Sequence, residues 1–250
     1  MLSKERLYII MNLVNERSFI TVKELTEALG VSRSSVMRDL AELEQQGLIQ
    51  REHGGAIAKN TLSGLNEVPV KHKETLHVEE KQRICAQAAT QIKDGDCIYI
   101  DSGTTPVYLL EHIVHKRITI VSASTYLIRK LPETFRGDIY LLGGEFHSGN
   151  DMSSGPLTLE MIRQFNFDHA FFSTNGVNPQ NGEVTIFAFA IGAVKKAIME
   201  RSLRNDLLID SSKFEIKALS TWAQMKDFHT IYTDAFPKSM KKAKNICICE

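Results

Sequence analysis

The sequence predicts a mixed α/β chain in two parts: a small N-terminal helical unit closed by a β-hairpin, and a larger C-terminal unit in which helices and strands alternate around a largely parallel sheet. Three observations predict it. Ahead of Gly47, apolar residues recur with helical period in successive stretches, and a strand with a Gly54-Gly55 turn follows. Beyond Glu79, strand-like apolar runs alternate with helix-like ones, the order that builds parallel sheets. Between the two, residues 58–66 show no periodicity and are rich in polar residues and small breakers. The expected boundaries are 1–57 for the first domain, 58–74 for the linker and 75–250 for the second domain.

Composition allows this and excludes other classes. At 250 residues the chain is long enough for two domains, and its hydrophobic fraction of 43% is ordinary for a globular protein. The 30 basic and 30 acidic residues cancel, so any positive surface must come from segregation onto one face. The cysteines, Cys85, Cys97, Cys247 and Cys249, form no CxxC pair and have no histidine cluster beside them. They read as structural thiols, and no metal or other cofactor is expected. The start, MLSKERLYII, has no long apolar core, and no run approaches the roughly 18 apolar residues of a membrane span. A cytoplasmic protein without membrane contact is expected.

In the first unit, Leu7, Ile10, Met11 and Val14 make an amphipathic helix. Thr21 and Glu24 have capping-box spacing and open a second helix, expected to bury Leu25 and Ala28 and to end at Gly30. Ser32 is placed to cap a third helix that runs to about Gln46, with Val36, Leu40 and Leu43 inward and Arg33, Ser34, Met37 and Ala41 on the opposite face. Gly47 stops it, and residues 48–51 form a strand turning at Gly54-Gly55.

Two helices joined by a tight turn, the second presenting its first residues, is the helix-turn-helix arrangement, whose second helix enters the major groove of DNA. Arg33 is the best candidate for a bidentate contact to guanine. Ser32, Ser35 and Arg38 suit phosphate oxygens, which position the module without reading sequence. Ser34 and Met37 share the groove-facing side, and Arg51 and His53 on the hairpin are expected to reach flanking backbone. The same pattern also fits a three-helix interaction module with solvated charges.

Residues 31–40 resemble the V-S-x-x-T-I-R-R-D-L recognition helix of the DeoR family of bacterial transcription regulators, and residues 51–56 resemble that family's R-x-H-G-G-A wing. Ser35 stands for Thr and Val36 for Ile. Met37 stands for the first Arg of the triplet, which removes a cation from the groove-facing side.

Val68-Pro69-Val70 reads as an edge strand opening the second unit. A helix with Ile84, Ala88 and Ile92 inward is closed by Asp94-Gly95-Asp96, and the buried strand of residues 97–100 follows. Thr105 as N-cap with Pro106 behind it starts a helix through His115. Further strands are expected at 118–121, 139–142, 170–172, 207–209 and 231–232. Cys97 and Cys249 fall in apolar runs of buried-strand character.

Polar and glycine residues gather after these strands, where open α/β sheets bind ligands. The candidates are Asp101, Ser102, Gly103, Thr104 and Thr105, then Gly143 and Gly144, Asn175, and Lys213. The turn of residues 102–105 offers amides, hydroxyls and a helix start to an anion, and Lys213 adds a point charge. Taken singly, each stretch also reads as a plain turn.

This half of the chain resembles the DeoR-family effector domain through Glu80-Lys81, Asp94-Gly95-Asp96, residues 101–105, Leu142-Gly143-Gly144, Gly155-Pro156, Asp168-His169-Ala170-Phe171 and residues 210–214. That domain is similar in fold to ribose-5-phosphate isomerases and coenzyme A transferases. The resemblance implies a homo-oligomer that binds operator DNA and is released by a phosphorylated sugar or sugar derivative, that is, a repressor of a carbohydrate operon. The chain departs from the family at Ala123, where Asn is usual, and at Ile191, where Glu is usual. Two rival readings stand beside it. A sugar-phosphate isomerase or transferase would need a positioned base, for which Asp101 and Lys213 are of the right type. Asn175, however, sits where a carboxylate would serve better, and the DNA-reading unit would have no purpose. A regulator insensitive to metabolites would account for Ala123 and Ile191.

Overall fold

The computed structural model describes residues 3–17, 19–46, 48–52, 54–58, 70–214, 216–237 and 243–250. They form two compact units, Met1–Val68 and Pro69–Glu250. Gly47 and His53, both singled out in the sequence, lie outside the described residues, as does most of the expected linker.

The first unit runs α1 (Ser3–Arg17), β1 (Phe19–Thr21), α2 (Val22–Leu29), α3 (Arg33–Gln45), β2 (Ile49–Glu52) and β3 (Gly55–Ala58). Its core joins Ile10 and Val14 of α1 to Leu25 and Leu29 of α2 and to Val36, Leu40 and Leu43 of α3. Thr21 and Glu24 form the expected capping box, and Gly30 ends α2 at φ 61°, a left-handed conformation in which a side chain would be strained. Ala28 is exposed rather than buried. The inward face of α2 is set by Val22, Leu25 and Leu29, which turns Ala28 outward. Unforeseen was β1, which pairs with β3 to give a three-stranded antiparallel sheet of order β1-β3-β2. Three residues are too few to show a strand period.

The second unit opens with α4 (Val70–Lys73). Val70 therefore begins a helical turn and is not part of the expected edge strand, whose Val68 and Pro69 lie outside the described residues. Its side chain is buried in the core, and its N–H donates to the Gly149 carbonyl at 3.1 Å. There follow α5 (Val78–Ala89), β4 (Cys97–Ile100), a 3-10 turn at Pro106–Tyr108, α6 (Leu109–Ile113), β5 (Thr119–Ser122), α7 (Thr125–Lys130) and β6 (Asp138–Leu141). A hairpin of β7 (Glu145–His147) and β8 (Met152–Ser154) leads to α8 (Pro156–Ile162) and β9 (Phe167–Phe172). The remainder is β10 (Gly176–Val177), β11 (Glu183–Ile186), α9 (Phe189–Met199), β12 (Ser202–Leu208), β13 (Ser220–Gln224), β14 (Thr230–Thr233) and β15 (Ile246–Ile248).

The expected single helix from Thr105 to His115 is thus a 3-10 turn followed by a five-residue helix. Thr105 has φ −87° and ψ −56°, and its side chain makes no cap hydrogen bond. A capping residue needs extended backbone to turn its oxygen onto the helix amides.

Among the described strands, seven form an all-parallel sheet of order β15-β14-β12-β9-β4-β5-β6. Alternation along each strand splits the core in two. Ile98, Ile100, Ile120, Phe171 and Leu208 face α5 and α6, while Tyr99, Val121, Ala170, Phe172 and Leu207 face α8 and α9. A sheet covered on both faces explains why its strands read as continuous apolar runs. Cys249 is buried just past β15, Cys97 is half-buried, and all four cysteines are free. Among the described residues, no helix is long and apolar enough to cross a membrane.

Candidate functional site

In the first unit the candidate site is the outer face of α3. Ser32 caps the helix by accepting from the Ser35 N–H at 3.3 Å, and its hydroxyl also bonds those of Ser34 and Ser35 at 2.9 and 3.0 Å. Arg33, Ser34 and Arg38 are exposed, and Met37 is 39% exposed. Neither Arg33 nor Arg38 makes an ion pair among the described residues. The helix is fixed from behind by Asp39, buried at its back, which accepts two hydrogen bonds from Arg6 of α1 at 2.7 and 3.0 Å. The Asp39 carboxylate is the leading cause that raises the Arg6 guanidinium. On the hairpin, Arg51 is held by Glu44, which accepts from its Nε at 2.7 Å and from its backbone N–H at 3.0 Å. A cleft of about 440 Å³ lies between α2, the start of α3 and the hairpin turn, lined by Lys23, Thr26, Glu27, Arg33 and Gly54 among others. Lys23 escaped the sequence reading because nothing in α2 ties it to α3.

In the second unit the strand order reverses between β4 and β9. β5 and β6 lie to one side of β4, while β9, β12, β14 and β15 lie to the other. Such a reversal opens a crevice at the carboxyl ends of the two strands. Asp101, fully buried, follows β4 there. Its Oδ2 accepts from the Ser173 N–H at 2.9 Å, from the Ser173 hydroxyl at 3.2 Å, and from Lys195 Nζ of α9 in a short contact. Its Oδ1 and the Tyr99 hydroxyl are both buried outside ordinary hydrogen-bond geometry, and the Asp101 carboxylate adds to the burial that pushes the Tyr99 phenol up. Lys195 is 1% exposed and also lies 5.6 Å from the Trp222 ring. Gly103 has φ 128°, and a Cβ there would fall 2.8 Å from the Ser173 hydroxyl. Ser102 donates to Met152 Sδ at 2.9 Å, and the Thr105 carbonyl accepts from Cys85 at 3.1 Å.

Thr104 connects this loop to a cationic cluster. Its hydroxyl accepts from Lys81 Nζ at 3.0 Å, and Lys81 donates also to the Lys73 carbonyl at 2.7 Å. Lys81 is 3% exposed. Burial pushes its ammonium down to about 8; nearby Lys213 and Lys73 add to that, and Asp210 opposes it. Asp210 follows β12, with Lys213 Nζ at 3.9 Å. Burial would raise the Asp210 carboxyl, but Lys213, the Ser212 hydroxyl, His77 and Lys81 outweigh it and hold it low. His77 stands at the head of α5 with φ 52°. Three elements thus bring two lysines, a carboxylate and the Thr104 hydroxyl together, an arrangement suited to an anion flanked by hydroxyl groups.

The other expected residues sit elsewhere in the crevice region. The Gly143 carbonyl accepts from the Thr158 hydroxyl at 2.7 Å, and a Cβ on Gly144 would meet that hydroxyl at 2.1 Å. Close packing of α8 against the end of β6 explains Gly144, whereas a Cβ on Gly143 would make only an ordinary contact with Met161. The Asn175 side-chain oxygen accepts from the Phe187 N–H at 3.3 Å. Ala123 and Ile191 are buried in the core that faces α8 and α9. Lys81 and Lys195 were not placed in the site by sequence. Glu80-Lys81 was visible as a motif, but 23 positions separate Lys81 from Thr104 and 94 separate Asp101 from Lys195.

Residues 6–61 match the family described as DeoR-like helix-turn-helix domain, and residues 76–235 match the DeoR C terminal sensor domain. The chain belongs to the DeoR family. It is a DNA-binding regulator and not an enzyme. Among its DeoR-family relatives, the lactose phosphotransferase system repressor of Staphylococcus epidermidis strain RP62A is 35% identical over 234 residues, covering 92% of this chain and 91% of that one. The repressor of the same name from Streptococcus mutans is 34% identical over 238 residues, covering 94% and 93%. A ribose 5-phosphate isomerase structure from Methanocaldococcus jannaschii covers 54% of this DeoR chain and 53% of its own, with 14% identity and a TM-score of 0.40.

Proposed function

We propose that this regulator represses a carbohydrate-metabolism operon and is released from its operator by a phosphorylated sugar. The observation that carries the reading is the cluster of Lys81, Lys213 and Asp210 around Thr104 at the strand reversal. The phosphate sits against the 102–105 loop, Lys81 and Lys213. The sugar hydroxyls face Asp101, whose carboxylate accepts from one of them. Ala123 and Ile191, the two departures from the family pattern, are core residues and leave this cluster intact. The relatives' names support a carbohydrate operon.

At the other end, α3 lies in the major groove. Arg33 reads a guanine, and Ser32, Ser35 and Arg38 hold phosphates. Lys23, at the start of α2 beside the cleft, adds a further phosphate contact. Two copies are joined through the sensor, so that two readers meet two half-sites.

The test is calorimetric titration of pentose and hexose phosphates and of inorganic phosphate, on the wild type and on Lys213→Ala. One sugar phosphate should bind the wild type and lower operator affinity by a coupling of about 1–3 kcal/mol, and operator DNA should weaken effector binding by the same factor. Lys213→Ala should keep DNA binding and lose the response. If no phosphorylated metabolite binds the wild type at millimolar concentration, the sensor reading fails and a regulator insensitive to metabolites takes its place.

A further inference from the structure

Beside its exposed polar side chains, α3 carries a large apolar one that its own fold leaves unburied. The helix buries Val36, Asp39, Leu40 and Leu43 but leaves Met37 39% exposed. Met37 lies one turn after Arg33 and one turn before Ala41, with exposed Ser34 alongside. This face therefore presents a cation at its N-terminal end and apolar surface behind it.

We propose that Met37 determines specificity: its side chain packs on the C5-methyl group of a thymine within two base pairs of the one that Arg33 reads. The inference rests on the proposed role of α3 as the DNA reader. Three arguments carry it. The base edges of the major groove display donors, acceptors and a single kind of apolar group, the thymine methyl. A methionine has no N–H or O–H to give and only a weakly accepting sulfur, so thymine is the base it can select. The side chain is long, unbranched and adaptable, which lets it follow a methyl group whose place shifts with local groove shape.

The flanking charges identify the partner. Arg33 and Arg38 border Met37 and make no ion pair among the described residues, so the surface around it is framed for a polyanion and not for an apolar protein face. Spacing then limits the position. Four helical residues advance about 6 Å along the axis. Base pairs stack at about 3.4 Å. The thymine therefore lies one or two base pairs from the guanine.

The experiment begins with selection of binding sites from a random duplex library by the full-length protein. Each thymine of the selected site is then replaced by uracil, which removes the methyl group and keeps the pairing. At one position per half-site, uracil should weaken wild-type binding about fourfold, the worth of one buried methyl. Met37→Ala should bind the thymine and uracil duplexes within about twofold of each other, because its shorter side chain cannot reach the methyl group. Met37→Leu, which restores apolar reach, should keep the thymine preference. The proposal is overturned if no uracil position weakens the wild type, or if the same loss persists in Met37→Ala. A selection that enriches no sequence, or an Arg33→Ala protein with unchanged base preference, overturns instead the reading of α3 as the DNA reader.

Discussion

On α3, the cations Arg33 and Arg38 stand exposed with no ion pair among the described residues, whereas in the sensor unit Lys81 and Lys195 are buried at 3% and 1% exposure and already hold hydrogen bonds. The first arrangement is local, since thirteen consecutive residues of α3 carry the whole face. The second is assembled from α5, α9 and the ends of β4, β9 and β12. The contrast fits the ligands proposed for the two sites. A phosphate backbone is long and highly charged, so exposed cations that release counterions suffice. A small anion offers few contacts, so its site must be organised beforehand in a protected crevice, with each buried charge compensated.

The largest test of this contrast removes valency. Residues 1–60 alone should bind operator DNA about 10²- to 10⁴-fold more weakly than the intact chain, because the second contact is no longer intramolecular. Equal affinities by gel shift would mean that the reader needs nothing from the sensor. Next in size is Asp101→Ala. It leaves the Lys195 ammonium buried without its carboxylate and should cost the sensor unit about 3–5 kcal/mol in denaturant unfolding. Loss of far less would show that water reaches Lys195.

Arg33→Ala should cost about 1–3 kcal/mol at one base position and relax the preference there. The same loss on specific and random duplexes would move Arg33 from base to phosphate. Lys81 gives a pH test of comparable or smaller size. Its ammonium is held down to about 8, so its positive charge is present below that pH and lost as pH rises through it. Effector affinity should therefore fall by about tenfold between roughly pH 7 and 9, as calorimetry would show, and Lys81→Met should flatten the profile. Smallest is Arg38→Ala, expected to weaken binding to all sequences alike and to lower the slope of log K against log salt by about one.

Legibility in the sequence follows the same division. The helices, caps and turn of the reader could be read directly, because capping boxes, the αL glycine and apolar periodicity act over three to eight residues. Ala28 was misjudged since its neighbours Val22 and Leu29, and not its own chemistry, set which face turns inward. In the sensor the main parallel strands were legible as apolar runs, and the polar residues that end them were legible as a candidate site. The antiparallel pieces β10, β11 and β13 were not, because β10 is only two residues long and β11 pairs with β13 across a long sequence separation.

By itself, the sequence determined the two-part organisation, the capped recognition helix with its exposed arginines, and the anion-friendly turn of residues 101–105. Each depends on local propensity or on a period that neighbouring residues reveal. The tertiary structure alone decided that Lys81 meets Thr104, that Asp101 is bound to Lys195, that Gly144 serves packing against α8, and that Ala123 and Ile191 belong to the core. The physical reason is distance along the chain. The strand order that places β9 beside β4 brings together groups that no local pattern links, and only there does burial hold the charges of Lys81, Lys195, Asp101 and Asp210 against one another.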